Sequence, residues 1–437
     1  MKQPLLKVIT LIISISILIG NTACSPKLET YFLSAEEVIF QEIDVSTEAP
    51  NSSPGRTIRL GNTQNINCSN VENYIPDPAQ LDHSTSYQLR VNFHIIDTKD
   101  KAYNFSETGA EKLINEMLGS ANKDLRDNNK VWLPYGNSFP QLPIGYQMVL
   151  TSNSTVPGDK GIYFHQDDEL AFYVHKGKNR NLHQRDIINK YNIGADSILN
   201  IFLMPHHPDS VLSPSYHVGG VGVYLGNGIK MAGMFELNQP GWAYRGVLNH
   251  EIGHALGLQH AWLTDGCEDT PRHNNECWNR SKNAPCDTAA SNNIMDYNAY
   301  QNAWTPCQIG RIRRTLANIK SAQRKWLIPH WNSLDTTKNI IIHRNTEWSG
   351  AKDIKGNLII KTGAQLHLQC RLGMPVGSKI IVESGASLII DNAQIHQPGG
   401  LNWQGIEIEK RGKEKGSVKI IGTPSIEDVL HPLIFDE

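Results

Sequence analysis

The stretch NHEIGHALGLQHAW, Asn249 to Trp262, sets the reading of the chain. His250 and His254 stand four residues apart, His260 follows six later, Glu251 comes directly after the first histidine and Gly257 lies between the last two. If AYRGVLNHEIGHALG is a helix, His250 and His254 project from one face a turn apart, so both imidazoles reach one ion. Gly257 can take positive φ and end that helix abruptly, which returns the chain so that His260 approaches the same ion. Three neutral imidazoles leave a fourth position for water, the arrangement of a catalytic rather than a structural zinc. Glu251 is about 100° around the helix from His250 and can face the open position without binding the metal. A carboxylate there suffices as a base once a zinc ion has acidified its water, and the same group can pass the proton to a leaving amine, so the pattern predicts metal-assisted peptide hydrolysis. A histidine pair at helical spacing is often mere decoration, but decoration needs neither Gly257 nor His260.

The rest of the chain bounds this reading. At 437 residues it is too long for one ordinary core, so two or more domains are expected. Lys+Arg 41 against Asp+Glu 43 gives a formal charge of -2, which offers no electrostatic footprint for nucleic acid as a partner. The N-terminus, MKQPLLKVITLIISISILIGNTAC, places Lys2 and Lys7 before an apolar run from Val8 to Ile19, too short for a comfortable membrane span and suited to an export signal. Ala23 before Cys24 resembles a bacterial lipoprotein cleavage site, with Cys24 as the lipidation candidate; Asn21 departs from the usual leucine and leaves simple cleavage or an uncleaved anchor open. The expected location is a cell surface or outer membrane as a lipoprotein, or secretion, with contact to a membrane only through that anchor. Export makes disulfides the expected state of Cys68, Cys267, Cys277, Cys286, Cys307 and Cys370, since no CxxC pair suggests a thiolate metal site.

Four segments follow from pattern: an export signal over 1–24, a tether or pro-segment over 25–80, a zinc metalloprotease domain over 81–330 and a β-solenoid-like domain over 335–437. In the third, YQLRVNFHII reads as a strand, and Ser106 can N-cap a helix with Ala110, Leu113, Met117, Ala121 and Leu125 on one face. SILNIFLM reads as a buried strand, and GGVGVYLGNG as strand and turn, its glycine spacing being wrong for a dinucleotide fingerprint. Thr305 and Pro306 open a helix whose Ile309, Ile312, Leu316, Ile319 and Trp326 form a buried stripe. In the fourth, GNLIIKTGAQLHL is echoed by GSKIIVESGASLII, so each unit is expected to stack on its neighbour in a parallel β-solenoid, with a small β-sandwich as the alternative. The two domains are expected to separate, since contacts between domains are usually modest.

HEIGHALGLQH matches the HExxHxxGxxH signature of the metzincin metalloproteases, and IMDY, Ile294 to Tyr297, resembles their Met-turn. Within that clan, GCEDTP, NNIMDY and WTPCQIGRIR are similar to the pappalysin and cytophagalysin family. The resemblance implies an α+β catalytic domain, with a twisted mixed sheet, an active-site helix and an irregular lower subdomain, here followed by the all-β domain. It implies His250, His254 and His260 as ligands of one zinc ion, Met295 as the floor beneath them, Glu251 as catalytic base and Tyr297 as a catalytic residue that steadies the intermediate. It also implies an endopeptidase acting on protein or peptide, and the disulfide pairs Cys267 with Cys286 and Cys277 with Cys307. The loop GCEDTP is shorter than is usual in the family, and Asp269 and Thr270 remain as oxygen ligands for a calcium ion. Cys68 has three readings: a latency thiol occupying the zinc, a disulfide with Cys370, or a free thiol. The alternative to an active enzyme is a silent surface adhesion or scaffold protein that binds through its β-solenoid. Oligomeric state is not legible in the sequence.

Overall fold

The computed structural model describes residues 27–41, 66–152, 157–174, 183–214 and 219–433. The segment 1–24, expected to be an export signal, and its Cys24 lie outside the described residues. Among these residues no helix is long and apolar enough to cross a membrane.

Before the catalytic half the chain lays down β1 (Leu28–Phe32) and β2 (Ile39–Gln41). The catalytic half then begins with β3 (Tyr87–Asp97), every second residue of whose first part is buried, as the alternation YQLRV requires. Ser106 N-caps α1 (Glu107–Asp127), accepting from the Gly109 amide, and Ala110, Leu113, Met117, Ala121 and Leu125 all face the core as their spacing predicts. The sheet is completed by β4 (Tyr146–Leu150), β5 (Ile162–Gln166), β6 (Leu199–Met204), β7 (Val221–Tyr224) and β8 (Gly228–Ala232). Its order is β4-β3-β6-β8-β7, with β5 also on β3, and every pairing is parallel except that of β7 with β8. The hairpin makes β7 an antiparallel edge strand. Three short helices intervene, α2 (Asp186–Tyr191), α3 (Pro208–Val211) and α4 (Met234–Leu237). Two longer ones carry the rest: α5 (Arg245–Ala255), which holds the histidine motif, and α6 (Pro306–Ala317). Thr305 and Gln308 form a reciprocal capping box at the start of α6. That helix ends earlier than its sequence stripe suggests: Ile319 is 47 % exposed, and buried Trp326 belongs to a separate short turn of helix, Ala322–Trp326.

Beyond Asn339 the chain makes repeated passes of three short strands. The first is β9 (Ile340–Ile342), β10 (Thr346–Trp348) and β11 (Lys352–Asp353), and the second β12 (Leu358–Ile360), β13 (Gln365–Leu368) and β14 (Arg371–Gly373). The third is β15 (Lys379–Val382), β16 (Ser387–Asp391) and β17 (Gln394–His396). A fourth adds β18 (Gly405–Arg411), β19 (Glu414–Lys415), β20 (Ser417–Ile421) and β21 (Ser425–Ile426). Corresponding strands pair in parallel, giving the ladders β9-β12-β15-β18, β10-β13-β16-β20 and β11-β14-β17-β21. Ile340, Leu358, Ile380 and Ile406 fall in register, and all are buried, so each pass covers the apolar row of the one before.

Two expectations need correcting. The segment over 25–80 is more than a tether: β1 pairs antiparallel with β18 and β2 pairs parallel with β20, covering strand edges that would otherwise stand open. The joint between the halves is also built rather than modest. Asp353 of β11 accepts from Arg324 and Arg371, Ile328 N donates to Gln88 O at 2.9 Å, and Thr85 Oγ1 donates to Asp353 O at 2.5 Å.

Candidate active site

The site is assembled on α5. His250 and His254 lie one turn apart on it, buried and half-buried, and the helix stops at Gly257, whose φ is +93°. Leu258 N donates to Gly253 O at 2.9 Å and Gly257 N to His254 O at 3.0 Å, the paired bonds of a Schellman ending. The reversal brings His260 back to the helix: His254 Nε2 is 3.1 Å from His250 Nε2 and 3.1 Å from His260 Nε2.

Each helical imidazole is oriented through its other nitrogen. His250 Nδ1 donates to Ile294 O at 2.7 Å and His254 Nδ1 to Leu258 O at 3.0 Å. Those bonds place the protons on Nδ1 and leave the Nε2 lone pairs facing one another, an arrangement that calls for a cation between them. Burial, with the neighbouring imidazoles, pushes His250 down to about 3 and His260 down to about 4, which keeps both neutral as ligands require. The three side chains form a group able to hold one metal ion.

Glu251 is 4 % exposed, and burial pushes its carboxyl up to about 8. The Tyr224 backbone on β7 opposes that rise, and Oε2 has no partner within the protein. A cation held by the three imidazoles would pull this carboxyl back towards ionisation. Above it lies Gly222 of β7: a Cβ there would stand 2.4 Å from Glu251 Cγ, so only glycine lets the edge strand close over this side chain. Beneath the helix, Met295 is wholly buried, and a Cβ on Gly253 would come within 2.5 Å of its sulfur. Tyr297 is 51 % exposed, with its ring centroid 5.2 Å from that of His260 and 5.8 Å from that of His250.

The structure thus brings His250, Glu251, His254, His260, Met295 and Tyr297 together. It adds residues that sequence reasoning missed. Trp262 stacks on His260 with centroids 4.1 Å apart, and Gln301 Nε2 donates to Asp296 O at 3.0 Å, bracing the turn that carries Tyr297. The run of glycines in GGVGVY was the available signal for Gly222, since glycine in a strand marks a close approach.

The cysteines are all disulfide-bonded among the described residues, but not in the expected pairs. Cys267 is joined to Cys307 and Cys277 to Cys286, correcting the pairing Cys267 with Cys286 and Cys277 with Cys307. The reason lies at the start of α6, where Asp269 Oδ2 accepts the Cys307 amide at 2.8 Å and docks the neighbouring Cys267 there; Cys277 then closes a local loop with Cys286. Cys68 is joined to Cys370, so the free thiol that latency requires is absent from this structure. The bridge does not span the catalytic half, because Tyr74 Oη donates to Cys68 O at 2.8 Å and Arg314 Nη1 to Ser69 O at 2.7 Å, holding this segment between α6 and the ladders. Of the oxygen ligands considered for calcium, Thr270 Oγ1 donates to Asp265 Oδ1 at 2.8 Å and Asp269 is engaged as above. Cys267, Asp269 and Cys307 cluster, but their sulfurs are bonded to each other and offer no thiolate.

A family model matches the part of the chain that holds this site. Residues 223–317 match the family Peptidase_M43, described as pregnancy-associated plasma protein-A. Over this segment the chain is similar to the pappalysin-like metzincin metalloproteases. The matched segment runs from within β7 to the end of α6, so it contains the three histidines, Glu251 and Met295. Among solved structures, mirolysin in complex with a compound is similar at a TM-score of 0.41 and 18% identity, over 56% of this chain and 97% of that one. Mature mirolysin of Tannerella forsythia in complex with a cleaved peptide is similar at 0.40 and 19%, with the same coverage. No curated protein matches the chain. A catalytic zinc is what the metzincin family implies, and the donor set of three converging imidazole nitrogens fits it.

Proposed function

We propose that this chain is an exported zinc-dependent endopeptidase with His250, His254 and His260 as metal ligands and Glu251 as general base. The observation that carries the reading is the convergence of three Nε2 atoms beside a buried carboxylate whose Oε2 has no protein partner. Bound zinc supplies Lewis acidity, making water a nucleophile near neutral pH and polarising the carbonyl to be attacked. Glu251 takes the proton from the attacking water and delivers it to the leaving nitrogen. The Nδ1 bonds of His250 and His254 hold the imidazoles in the tautomer that ligation needs. Tyr297, half exposed over two of the histidines, is assigned the stabilisation of charge on the attacked carbonyl oxygen. An extended peptide segment is the substrate class.

We further read residues 335–437 as a parallel β-solenoid, because three parallel ladders repeat strand by strand in register. The domain limits 81–330 and 335–437, and a lipid anchor at Cys24, belong to the same proposal. The test is digestion of an unbiased peptide library combined with metal analysis. Wild-type chain is expected to bind about one zinc and cleave internal bonds, while Glu251→Ala keeps the zinc and loses about 10²–10⁴-fold in kcat. Zinc binding without cleavage of any peptide would favour the silent adhesion or scaffold reading. Calcium dependence is read in the same assay by restoring calcium alone.

A further inference from the structure

The joint between the catalytic half and the ladders carries more positive charge than its carboxylate answers. Asp353, fully buried, accepts from Arg324 Nη1 at 2.8 Å and Nη2 at 3.0 Å, and from Arg371 Nη1 at 2.6 Å and Nη2 at 3.0 Å. Its single charge is shared between two guanidinia. Two further cations stand beside it, Arg313 on α6 and Lys352 on β11, and both line a cavity of about 30 Å³ with Tyr87, His83, Thr85 and Asp353.

Arg313 is 9 % exposed; its Nη1 donates to Thr85 O at 3.3 Å, and its Nε has no partner. It cannot easily swing away, because a Cβ on Gly145 would lie 2.3 Å from Arg313 Nη2, so the guanidinium is wedged against that backbone. Lys352 Nζ stands 5.2 Å from the centroid of the Trp348 ring. Among the described residues neither Arg313 nor Lys352 has an ion pair; the ion pairs of the joint are those of Arg324 and Arg371 with Asp353. Arg313 is buried and Lys352 half-buried, and like charges drawn together there, with the one nearby carboxylate already shared by two other guanidinia, are unfavourable. A cavity above roughly 10–15 Å³ admits a particle the size of a water molecule.

We propose that the cavity between Arg313 and Lys352 is a binding site for a small monovalent anion, chloride or the carboxylate of a small acid. A wider cleft of about 420 Å³, lined by Arg344 and Trp348 and also by Glu72, Asp77 and Glu347, shares Lys352 and His83 with the cavity and provides the approach. The bound anion joins a side chain of the catalytic half to one of the ladders, so it strengthens the joint on which both halves depend.

The test uses the full chain, melted at constant ionic strength in sodium chloride, bromide or formate and in sodium gluconate, whose anion is too large for the cavity. The wild-type melting temperature is expected to rise by about 2–4 °C in a small anion over gluconate. A response to halide assigns an inorganic ion, and a response to formate alone assigns a carboxylate. Crystals grown in bromide are expected to show anomalous density between Arg313 and Lys352 in the first case. Lys352→Met should abolish the difference between salts. If that variant does not fold, Lys352→Glu supplies the negative charge internally, and it should fold and ignore the salt. Equal melting of folded wild-type chain in all four salts, or halide sensitivity retained in Lys352→Glu, overturns the site.

Discussion

At Gly222, a missing side chain makes room for the side chain proposed as the base. The strand it sits on lies so close that an alanine methyl would meet Glu251 Cγ at 2.4 Å, and the carboxylate has no room to yield because it is already buried. Gly222→Ala is therefore expected to lower kcat about 10²-fold, the scale of a misplacement near 1 Å, with zinc content unchanged. Paired kcat and metal measurements check this, and an unaltered kcat would mean that the edge strand does not set the position of the base. Gly253 works in the opposite direction, beneath the helix. Its alanine variant would drive a methyl into the Met295 sulfur, and overpacking of this kind costs about 1–3 kcal/mol, readable as a lowered melting temperature.

Elements carry the next level of the argument, and they were unequally legible. The histidine spacing, the N-caps Ser106 and Thr305 and the buried run SILNIFLM are local statements, settled within a turn or a strand, and the structure has each of them. The disulfide pairing was not local: it turns on Asp269 meeting the amide of Cys307, residues far apart in sequence. Nor was the pairing of β1 and β2, whose partners lie near the other end of the chain. The end of α5 is the element on which the metal set depends. Gly257→Ala must place a Cβ at φ +93°, so the return of His260 should loosen and metal affinity fall by roughly 10–100-fold in chelator competition. The sheet has its own titration. His94 is wholly buried on β3, its Nδ1 2.9 Å from His165 Nε2, and burial pushes the two histidines down to about 3 and about 4. Both are neutral in the fold and protonate near 6.5 once unfolded, so the unfolded chain binds more protons and stability falls as pH drops from about 6.5 towards 4. Urea unfolding of chelator-treated chain should show that slope, shallower in His165→Gln; an equal slope in both would discharge this pair.

At the scale of the whole molecule, the question is whether the C-terminal ladders are an appendage or part of the protease's support. Sequence repeats alone suggest an appendage, since a stack of like units needs only its neighbours. The joint argues otherwise. Arg324 belongs to the segment that follows α6 and is 7 % exposed, yet its carboxylate partner, Asp353, comes from β11; Arg371 of β14 pairs with the same carboxylate and donates to Ala317 O at the end of α6 at 2.9 Å. The Cys68–Cys370 bridge fastens the segment that precedes the catalytic half to the same ladders. Removing Asp353 leaves two guanidinia buried without an anion, which typically costs about 3–5 kcal/mol, whereas a pair replaced as a unit by apolar side chains often costs little. Asp353→Ala is thus expected to lower the melting temperature markedly and to lower activity with it at temperatures near the new midpoint. The triple change Asp353→Leu, Arg324→Met, Arg371→Met should recover much of the loss. A chain ending at Leu334 should behave like Asp353→Ala or worse, because it strands Arg324 and removes the ladder half of the joint together. A truncated chain that melts where the full chain does, with full peptide cleavage, would show that the ladders ride on the protease without supporting it.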